Sequence, residues 1–464
     1  MQALNLAYND SAKKLWQFFI LLELLIILSS LLLSYKIAFV IVLAMIFLFL
    51  VSLNLKITLM ILIALSTFIS YESKNILALG ISILFFVLAA VLFGIYFKFC
   101  LNPIKIIKSK LNLPLVVFLT IALFNALRGL FYSYKITSLA LESFVYLSLG
   151  FIFIVIIILK SIRDIKNIFN ILVLLTIGQS IYGVINYLLV RHRIGGTMFG
   201  IIPSMVDIVL LNLFLYSRNK KERWFYLLLL IPGVIHLIFS FTRGYWFGFI
   251  GGLIFSYAYY ISQQEYAFSR RVFNFLKGLT IISLLSVLVL LSLQFFLPGG
   301  NFIQEFTKRF RSSFSVTLSR ETVSNYYRVL EYQEAYERIY ERPVYGYGLG
   351  YRFDFFDPLA LKRESVYAVH NDYLAIILKM GLVGLIAFLW LFYVFFKEGL
   401  QAGRRTKGPY AKGLIAGFSA NILQILLTGF TNHVIIGIMN TYYLAFAMGA
   451  VVIISKNEET EKMS

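Results

Sequence analysis

The residues of this sequence best suited to chemistry on an anionic substrate are Arg193, Arg243 and His370. Arg243 stands in the segment SFTRGYW (240–246), between two apolar stretches with almost no loop between them. An arginine at such a depth costs about 3 kcal/mol in lipid and by default marks a site with an anionic partner. The alternative is that it snorkels to the outer head groups, helped by the tyrosine and tryptophan that follow it. We expect Arg243 to bind an anion.

Arg191 and Arg193 stand at the end of another apolar stretch, in the segment RHRIGGT (191–197). A guanidinium group presents a planar fork of donors that matches phosphate oxygens. Arginines that converge with Arg243 would therefore make a diphosphate clamp on the outer face. Contact with lipid head groups is the alternative, left open for Arg193 and favoured for Arg191. Asp207 follows early in the next apolar stretch and could orient one of these arginines.

His370 opens an apolar stretch in the segment VHNDYL (369–374), directly after the one long polar interval of the chain. Imidazole is the natural proton acceptor near neutral pH, so His370 is the candidate general base. A polar anchor at the membrane interface is the alternative. The polar interval holds a helix-like run at 324–341. The turn PVYGYGLG (343–350) follows, and its three glycines predict a tight, closely packed backbone.

The elements that must position these side chains are membrane helices. The chain of 464 residues is 60% hydrophobic and 14% charged. Its apolar runs are about 20 residues long, the length that crosses a hydrocarbon layer of about 30 Å. This pattern predicts an all-α polytopic membrane protein with about 14 transmembrane helices, within a range of roughly 12–14. The predicted spans are 15–34, 37–54, 56–71, 76–98, 112–133, 139–159, 167–189, 203–217, 223–240, 243–261, 276–297, 369–396, 412–430 and 434–455.

Basic residues indicate the orientation of the spans. Lysine and arginine cluster in every second gap between them, which predicts that both termini are cytoplasmic. The domains are then 1–297 with the earlier spans, an extracytoplasmic loop domain at 298–368, the last spans at 369–455 and a cytoplasmic tail at 456–464. The net charge of +20 reflects this bias, so binding of nucleic acid is not expected.

The remaining residues that could carry chemistry indicate structural roles. A single cysteine excludes an internal disulfide and a cysteine-based metal cluster, and none of the four histidines has metal-ligand spacing. We therefore expect no metal site and no cofactor. Glu142 and Arg128 lie near the outer ends of adjacent predicted spans, where a charge in lipid is costly, and we expect them to pair.

The order of motifs in the second half of the chain resembles that of the O-antigen ligase and polymerase family of bacterial envelope glycosyltransferases. The motifs are RIGGTMFG (193–200), SFTRG (240–244), RVLEYQEAYERIYERPVYGYGLG (328–350) and HNDYLAIILKMGLVGL (370–385). The resemblance covers residues 190 to 395, whereas the first six spans match only in being apolar. Two departures are Thr242, where many members have serine, and the segment after Gly200, which lacks an Asn-Pro often seen there.

The resemblance implies the chemistry of the family. Its members take a glycan from a polyprenyl (undecaprenyl) diphosphate donor and join it to an acceptor sugar on the outer face of the bacterial inner membrane. They resemble other transferases that invert the anomeric centre and need no metal. By motif, the essential arginines and histidine fall on Arg193, Arg243 and His370, with Arg328 as a further candidate. The implied partners are the lipid-linked donor, a glycan or glycolipid acceptor, membrane lipids and a polysaccharide chain-length regulator.

Two alternatives concern the activity. A ligase transfers the glycan to a lipid A core and a polymerase transfers it to another lipid-linked repeat unit, and the spans that follow the large loop favour the polymerase. A secondary transporter of an anionic or lipid-linked sugar would also use intramembrane arginines. A transporter should show related halves and a site near the bilayer midplane. No related halves are visible here and the polar groups gather at one face, so we favour a transferase.

Overall fold

The structure, a computed structural model, describes residues 55–68, 109–190, 201–264, 323–357, 362–366, 369–435 and 437–463, with a few residues between 88 and 96, 269 and 280, and 304 and 311. These residues are mostly helical, and they include one sheet of two antiparallel strands. The elements are, in chain order, α1 (Leu55–Phe68), α2 (Asn112–Phe131), α3 (Ile136–Leu147), α4 (Phe151–Ile158), α5 (Ile162–Val190), α6 (Ile202–Tyr216), α7 (Lys220–Phe239), α8 (Arg243–Ser262), α9 (Val323–Glu341), β1 (Phe353–Asp357), β2 (Lys362–Val366), α10 (Asp372–Arg405), α11 (Pro409–Thr428) and α12 (Ile438–Met463).

Six helices of the described residues are long and apolar enough to cross a membrane, as the sequence predicts for a multi-pass helical membrane protein. They are Asn112–Phe131, Ile136–Ile158, Ile162–Gly183, Lys220–Phe239, Asp372–Arg405 and Pro409–Thr428. Two shorter apolar helices lie at Leu55–Ala64 and Ile202–Tyr216. The total of about 14 spans stays a prediction. The predicted spans 15–34, 37–54, 76–98 and 276–297 lie wholly or largely outside the described residues.

Glycines let α11 pack closely at the centre of the bundle. On α11, Gly413 and Gly417 lie one turn apart and face α6. On α8, Gly248 faces α11, and Gly252 one turn later lies against Ile208 of α6 and beside α11. A Cβ atom at any of these positions would press on the facing helix. Small residues four apart are a common way to bring membrane helices together, because lipid leaves little hydrophobic driving force between them.

Side-chain amides add hydrogen bonds between the same helices. Asn421 Nδ2 donates to the carbonyl of Met205 at 2.8 Å and to the hydroxyl of Tyr443 at 2.7 Å. Gln424 Nε2 donates to Ser204 Oγ at 2.6 Å. Each such bond contributes roughly 0.6 kcal/mol in a membrane protein. Their directionality fixes the rotation of α11 against α6 and α12.

Helix α10 breaks at Gly381, where φ is 67° and ψ is −171°, a region that is essentially restricted to glycine. The glycine-rich turn pairs with the backbone at this break. The N–H groups of residues 347 and 348 donate to the carbonyls of residues 378 and 379 at 2.9 and 2.8 Å, and those of residues 382 and 383 donate to the carbonyls of residues 343 and 344 at 2.9 and 3.3 Å. The turn therefore satisfies backbone groups that a broken helix would otherwise leave in an apolar environment.

The predicted tight turn is confirmed. Gly346, Gly348 and Gly350 have φ values of 61°, 95° and 84°, all in the left-handed region. A Cβ atom at Gly346 would lie 2.6 Å from the backbone of α10, and one at Gly350 would lie 2.9 Å from Leu139 of α3. The turn is thus wedged between helices at positions where no larger residue fits.

Arg128 and Glu142 each bind this turn, so the prediction that they pair with each other is wrong. Arg128 donates to two carbonyls of the turn, those of residues 345 and 346, at 2.6 and 3.0 Å. Glu142 pairs with the buried Lys379 of α10 at 2.7 Å and accepts from the N–H of Gly350 at 2.6 Å. The two residues do not meet because the turn inserts beside α2 and α3 and binds both of them. Glu142 is also neutralised by Lys379, which lies next to the break in α10.

Helix α9 confirms the predicted helical run and lies across the start of α10. Its Ala335 is fully buried, and Tyr332 and Ile339 pack beside it against a small cluster that includes Phe353 of β1 and Leu378 of α10. The strands β1 and β2 pair with Phe353 opposite Val366 and Asp357 opposite Lys362. This packing holds α9 over the residues that precede α10.

Candidate functional site

Arg243 is the first residue of α8, after a three-residue turn from α7. Phe241 in this turn is buried with a φ of 47°, which is unusual for a bulky residue. The surrounding packing therefore imposes this turn, and the turn fixes where α8 begins. Arg243 Nη2 donates to Asn325 Oδ1 of α9 at 2.7 Å. An apolar helix and the polar helix α9 thus meet at this arginine.

Arg328 lies one turn after Asn325 on α9. Its Nη2 donates to Asn432 Oδ1 at 3.0 Å, in the loop between α11 and α12. This loop packs directly on Gly244, where a Cβ atom would lie 2.5 Å from the Asn432 amide nitrogen. The glycine that follows Arg243 is therefore required by the close approach of the loop. Both arginines border the same loop and the same helix.

Burial lowers the pKa of the Arg328 guanidinium, and the neighbouring Tyr332 and Glu331 offset part of this change. A guanidinium group keeps its proton at any physiological pH. Its hydrogen-bond partner Asn432 is a neutral amide and does not cancel its charge. An anion that binds beside this buried guanidinium group would therefore stabilise its charged form.

His370 is anchored to α9 through Glu331. The imidazole Nδ1 lies 3.1 and 2.8 Å from the two carboxylate oxygens, and the His370 backbone N–H donates to Glu331 Oε2 at 3.3 Å. The hydroxyl of Tyr332 donates to the His370 carbonyl at 2.8 Å. The Glu331 side chain is 7% exposed, whereas that of His370 is 52% exposed. With the Nδ1 proton donated to Glu331, Nε2 is the nitrogen that accepts a proton.

The contact residues of α9 share one face. Asn325, Arg328 and Glu331 are spaced at i, i+3 and i+6, so they line up along the helix. Asn325 contacts Arg243, Arg328 contacts Asn432 and Glu331 contacts His370. One helix face therefore brings together parts of the chain that are far apart in sequence.

The residues after His370 tie the same loop in place. Asn371 caps α10, because its side-chain oxygen accepts hydrogen bonds from the backbone N–H groups of Tyr373 and Leu374, at 3.0 and 3.1 Å. Asp372 is fully buried, and its Oδ2 accepts from the backbone N–H groups of Val434 and Ile435 at 2.9 and 2.7 Å. Its Oδ1 lies 2.8 Å from His433 Nδ1. Burial lowers the pKa of His433, but attraction to the Asp372 carboxylate outweighs burial and raises it.

The predicted site residues divide into three groups. Arg243, Arg328 and His370 converge around α9. Arg191 and Arg193 lie outside the described residues, so their part in a clamp stays a prediction. Asp207 is fully buried beside Gly233 of α7, and within the described part of the chain its carboxylate accepts no hydrogen bond. Its proposed role in orienting an arginine likewise stays a prediction.

Sequence reasoning missed Glu331, Asn325, Asn432 and Asp372. The helical spacing of Asn325 and Glu331 on either side of Arg328 was a visible signal, because those three residues must share a face. Asn432 and Asp372 gave no comparable signal, since their contacts depend on how a distant loop folds back. Among the described residues, no three or more His, Cys, Asp or Glu side chains are grouped as a metal site would require.

A segment of the sequence that holds these residues matches a known family model. Residues 225–389 match the family model described as O-antigen ligase, a segment that runs from α7 into α10 and includes Arg243, Arg328, Glu331 and His370. No curated protein matches the chain. The match supports the resemblance drawn from the sequence motifs. This multi-pass membrane protein therefore carries, at residues 225–389, a domain of the O-antigen ligase family.

Proposed function

We propose that the protein is a glycosyltransferase that moves a glycan from a polyprenyl diphosphate to an acceptor sugar at the outer face of the bacterial inner membrane. The observation that carries this proposal is the convergence of Arg243, Arg328 and His370 on one face of α9. Two guanidinium groups beside one anchored imidazole suit a reaction in which an anion leaves and a hydroxyl attacks. The family match supports the class of enzyme.

In this proposal the arginines bind the donor diphosphate. Negative charge grows on the diphosphate as the anomeric C–O bond breaks, and fixed cations stabilise that charge more in the transition state than in the ground state. Arg243 and Arg328 supply the cations from two separate helices, and Arg193 is a third contributor. Because guanidinium groups take the place of a divalent cation, the reaction proceeds without metal.

His370 accepts the proton of the acceptor hydroxyl at Nε2. The acceptor oxygen forms a bond to the anomeric carbon on the face opposite the diphosphate, whose C–O bond breaks at the same time. The product is inverted, no covalent enzyme intermediate forms, and the diphosphate leaves with the electron pair. Glu331 holds the imidazole in place and stabilises the imidazolium that results.

The position of the polar groups supports a transferase over a transporter. Arg243 and Asp372 begin helices, and Asn432 and His433 lie in a loop between helices. A transporter site is expected where helices are broken near the midplane of the bilayer. Polar groups at helix ends instead favour a site open to one face.

We take the acceptor to be a second lipid-linked repeat unit, which makes the protein a polymerase, with a lipid A core as the alternative acceptor.

The test is transfer by purified protein in liposomes, using a synthetic undecaprenyl diphosphate glycan with EDTA present and each acceptor in turn. We expect product in EDTA, loss of product in His370→Ala, and a loss of roughly hundredfold or more in Arg328→Ala, since one electrostatic contact to a transition state contributes about that factor. Arg338→Ala is the matched control, because Arg338 lies on the same helix but pairs with Glu334 and Glu341.

Normal transfer by a correctly inserted His370→Ala protein would exclude the assignment of His370 as the base. Product that disappears on EDTA treatment and returns with Mg²⁺ would exclude the metal-independent mechanism. Uptake of the donor without bond formation would instead support a transporter.

A further inference from the structure

A groove lies between α9 and β1, outside the candidate site. It has a volume of about 250 Å³, and none of the residues proposed for glycan transfer lines it. We call it the α9 groove. Its walls are formed by four residues of α9 and two of β1, namely Tyr326, Leu330, Gln333, Glu337, Phe355 and Phe356.

The α9 groove and the candidate site lie on opposite faces of one helix. The four groove residues of α9 are spaced at i, i+4, i+7 and i+11, so they share a face. With about 3.6 residues per turn, Asn325, Arg328 and Glu331 lie on the opposite side. A helix with its side chains is about 10–12 Å across, which sets the distance between the two places. A ligand that reaches both must be longer than a single sugar ring.

Polar side chains at the rim of the α9 groove are free to bind a ligand. Gln333 and Glu337 are exposed, and within the described part of the chain neither side chain makes a hydrogen bond or an ion pair. Glu334 also borders the groove, but its carboxylate pairs with Arg338 at 2.9 Å. Among the described residues, no lysine, arginine or histidine lines the groove, so it lacks the cations that a phosphate group requires.

Aromatic rings supply the rest of the lining. Phe356 is 53% exposed, and Tyr326 is half-buried beside it in the groove. The face of an aromatic ring is negative, and it attracts the weakly positive C–H groups on the face of a sugar ring. The hydroxyl groups of the same sugar can donate to the Glu337 carboxylate and exchange hydrogen bonds with the Gln333 amide. A sugar therefore uses both parts of this lining, whereas a hydrocarbon uses only the rings.

We propose that the α9 groove binds a sugar unit of a glycan whose reacting end lies at the candidate site on the other face of α9. The choice of a glycan as the ligand rests on the proposed function. Contacts to sugar units far from the reacting bond add affinity for the substrate without acting on the chemical step. One helix then holds the reacting groups on one face and the remote part of the glycan on the other.

The test measures binding of free oligosaccharides to the full-length protein in micelles by isothermal titration calorimetry. The probes are the glycans released by mild acid from the polyprenyl diphosphate fraction of the native cells, so they carry neither diphosphate nor lipid. We expect the parent to bind them. Affinity should fall roughly tenfold in the double variant Tyr326→Ala, Phe356→Ala, which removes two aromatic contacts. It should fall by a similar factor in Gln333→Ala, Glu337→Ala, which removes the hydrogen bonds.

The control is the double variant Tyr336→Ala, Tyr340→Ala. These two tyrosines lie on the same helix, are 59% and 89% exposed, and do not line the groove, so this variant should bind like the parent. Arg328→Ala should also keep its affinity for the free glycan, because the arginine lies on the other face of α9. Absence of glycan binding in the parent, or unchanged affinity in both groove variants, would overturn the proposal. Loss of binding in Arg328→Ala with retention in the groove variants would overturn it too.

Transfer kinetics separate this proposal from the proposed function. With an acceptor of several repeat units, the groove variants should raise the KM roughly tenfold and leave kcat unchanged, since they remove binding that is uniform along the reaction. A parent that transfers glycan but shows no effect of the groove variants would contradict the groove alone. A parent that binds free glycan through the groove but transfers none would contradict the proposed function alone.

Discussion

At the scale of single residues, the Glu331 to His370 contact decides what the imidazole can do. A histidine that opens a membrane helix is often only a polar anchor, and its sequence position does not distinguish the two roles. The buried carboxylate on Nδ1 suits the proposed role as a base, because it holds the ring through one nitrogen and leaves the other as the proton acceptor. Glu331 is therefore a positioning residue in the proposed mechanism.

We predict that Glu331→Gln lowers kcat for transfer roughly tenfold to hundredfold and leaves the KM for the donor nearly unchanged, since an orienting partner acts on the chemical step. In a His370→Ala background the same change should cause no further loss, because the two residues act as a unit. Glu334→Gln is the matched control on the same helix, where the carboxylate binds Arg338. Additive losses in the double variant would show that Glu331 does not act through His370.

A second prediction at this scale concerns pH. The pKa of His433 is raised by Asp372, so the ion pair stabilises the fold fully below the unfolded pKa of about 6.5 and progressively less as the pH rises through the folded pKa. The melting temperature of the parent should therefore fall as the pH is raised above about 6.5. This part of the pH dependence should be absent in His433→Gln. Identical dependence of the melting temperature on pH in the two proteins would contradict a stabilising His433–Asp372 ion pair.

At the scale of elements, the break in α10 and the glycine-rich turn form one unit. The turn supplies hydrogen-bond partners for the backbone groups exposed at Gly381. The same hydrogen bonds hold the turn between α2, α3 and α10. The side chains of Arg128 and Glu142 bind the same turn, and Lys379 pairs with Glu142. Because α9 runs straight into this turn, the unit fixes the end of the helix that carries the site.

We predict that Gly381→Ala destabilises the protein strongly. The residue has a conformation that costs a non-glycine residue roughly 1–3 kcal/mol, and the new Cβ atom would overlap the carbonyl of Val344 and open the turn. Thermal unfolding in detergent should show a melting temperature several degrees lower. Gly178→Ala in α5 is the control, because a Cβ atom there has no neighbour within 4 Å, and it should be neutral or slightly stabilising. Equal melting temperatures for the two variants would contradict the role of the break.

At the scale of the whole molecule, the two ends of α10 have different chemistry. One end lies at the cluster of Arg243, Arg328, Glu331 and His370, and the last turn of the other end holds Arg404 and Arg405. In the proposed orientation the first end faces the outside and the second faces the cytoplasm. In the proposed reaction, donor and acceptor would then meet on the side away from the cytoplasm.

This orientation can be tested with single cysteines in a Cys100→Ser background. Tyr340 of α9 is 89% exposed, so Tyr340→Cys should react with a membrane-impermeant maleimide in intact spheroplasts. Lys220→Cys, at the exposed start of α7, should react only after the membrane is permeabilised. The reverse labelling pattern would place the site on the cytoplasmic side and contradict the proposed use of a donor on the outer face.

The sequence by itself determined that this is a multi-pass helical membrane protein, and it predicted Arg243 and His370 as candidate site residues at helix ends. Apolar runs of about 20 residues predict membrane helices, three glycines within five residues indicate an unusual turn, and Arg243 interrupts apolar sequence at a free-energy cost. These are local constraints, and each can be read within one segment. Tertiary structure alone decided which residues pair. Arg128 and Glu142 found other partners because a turn from more than 200 residues later lies between them, and Glu331, Asn432 and Asp372 meet their partners only once α9 and the loop before α12 have packed on the bundle.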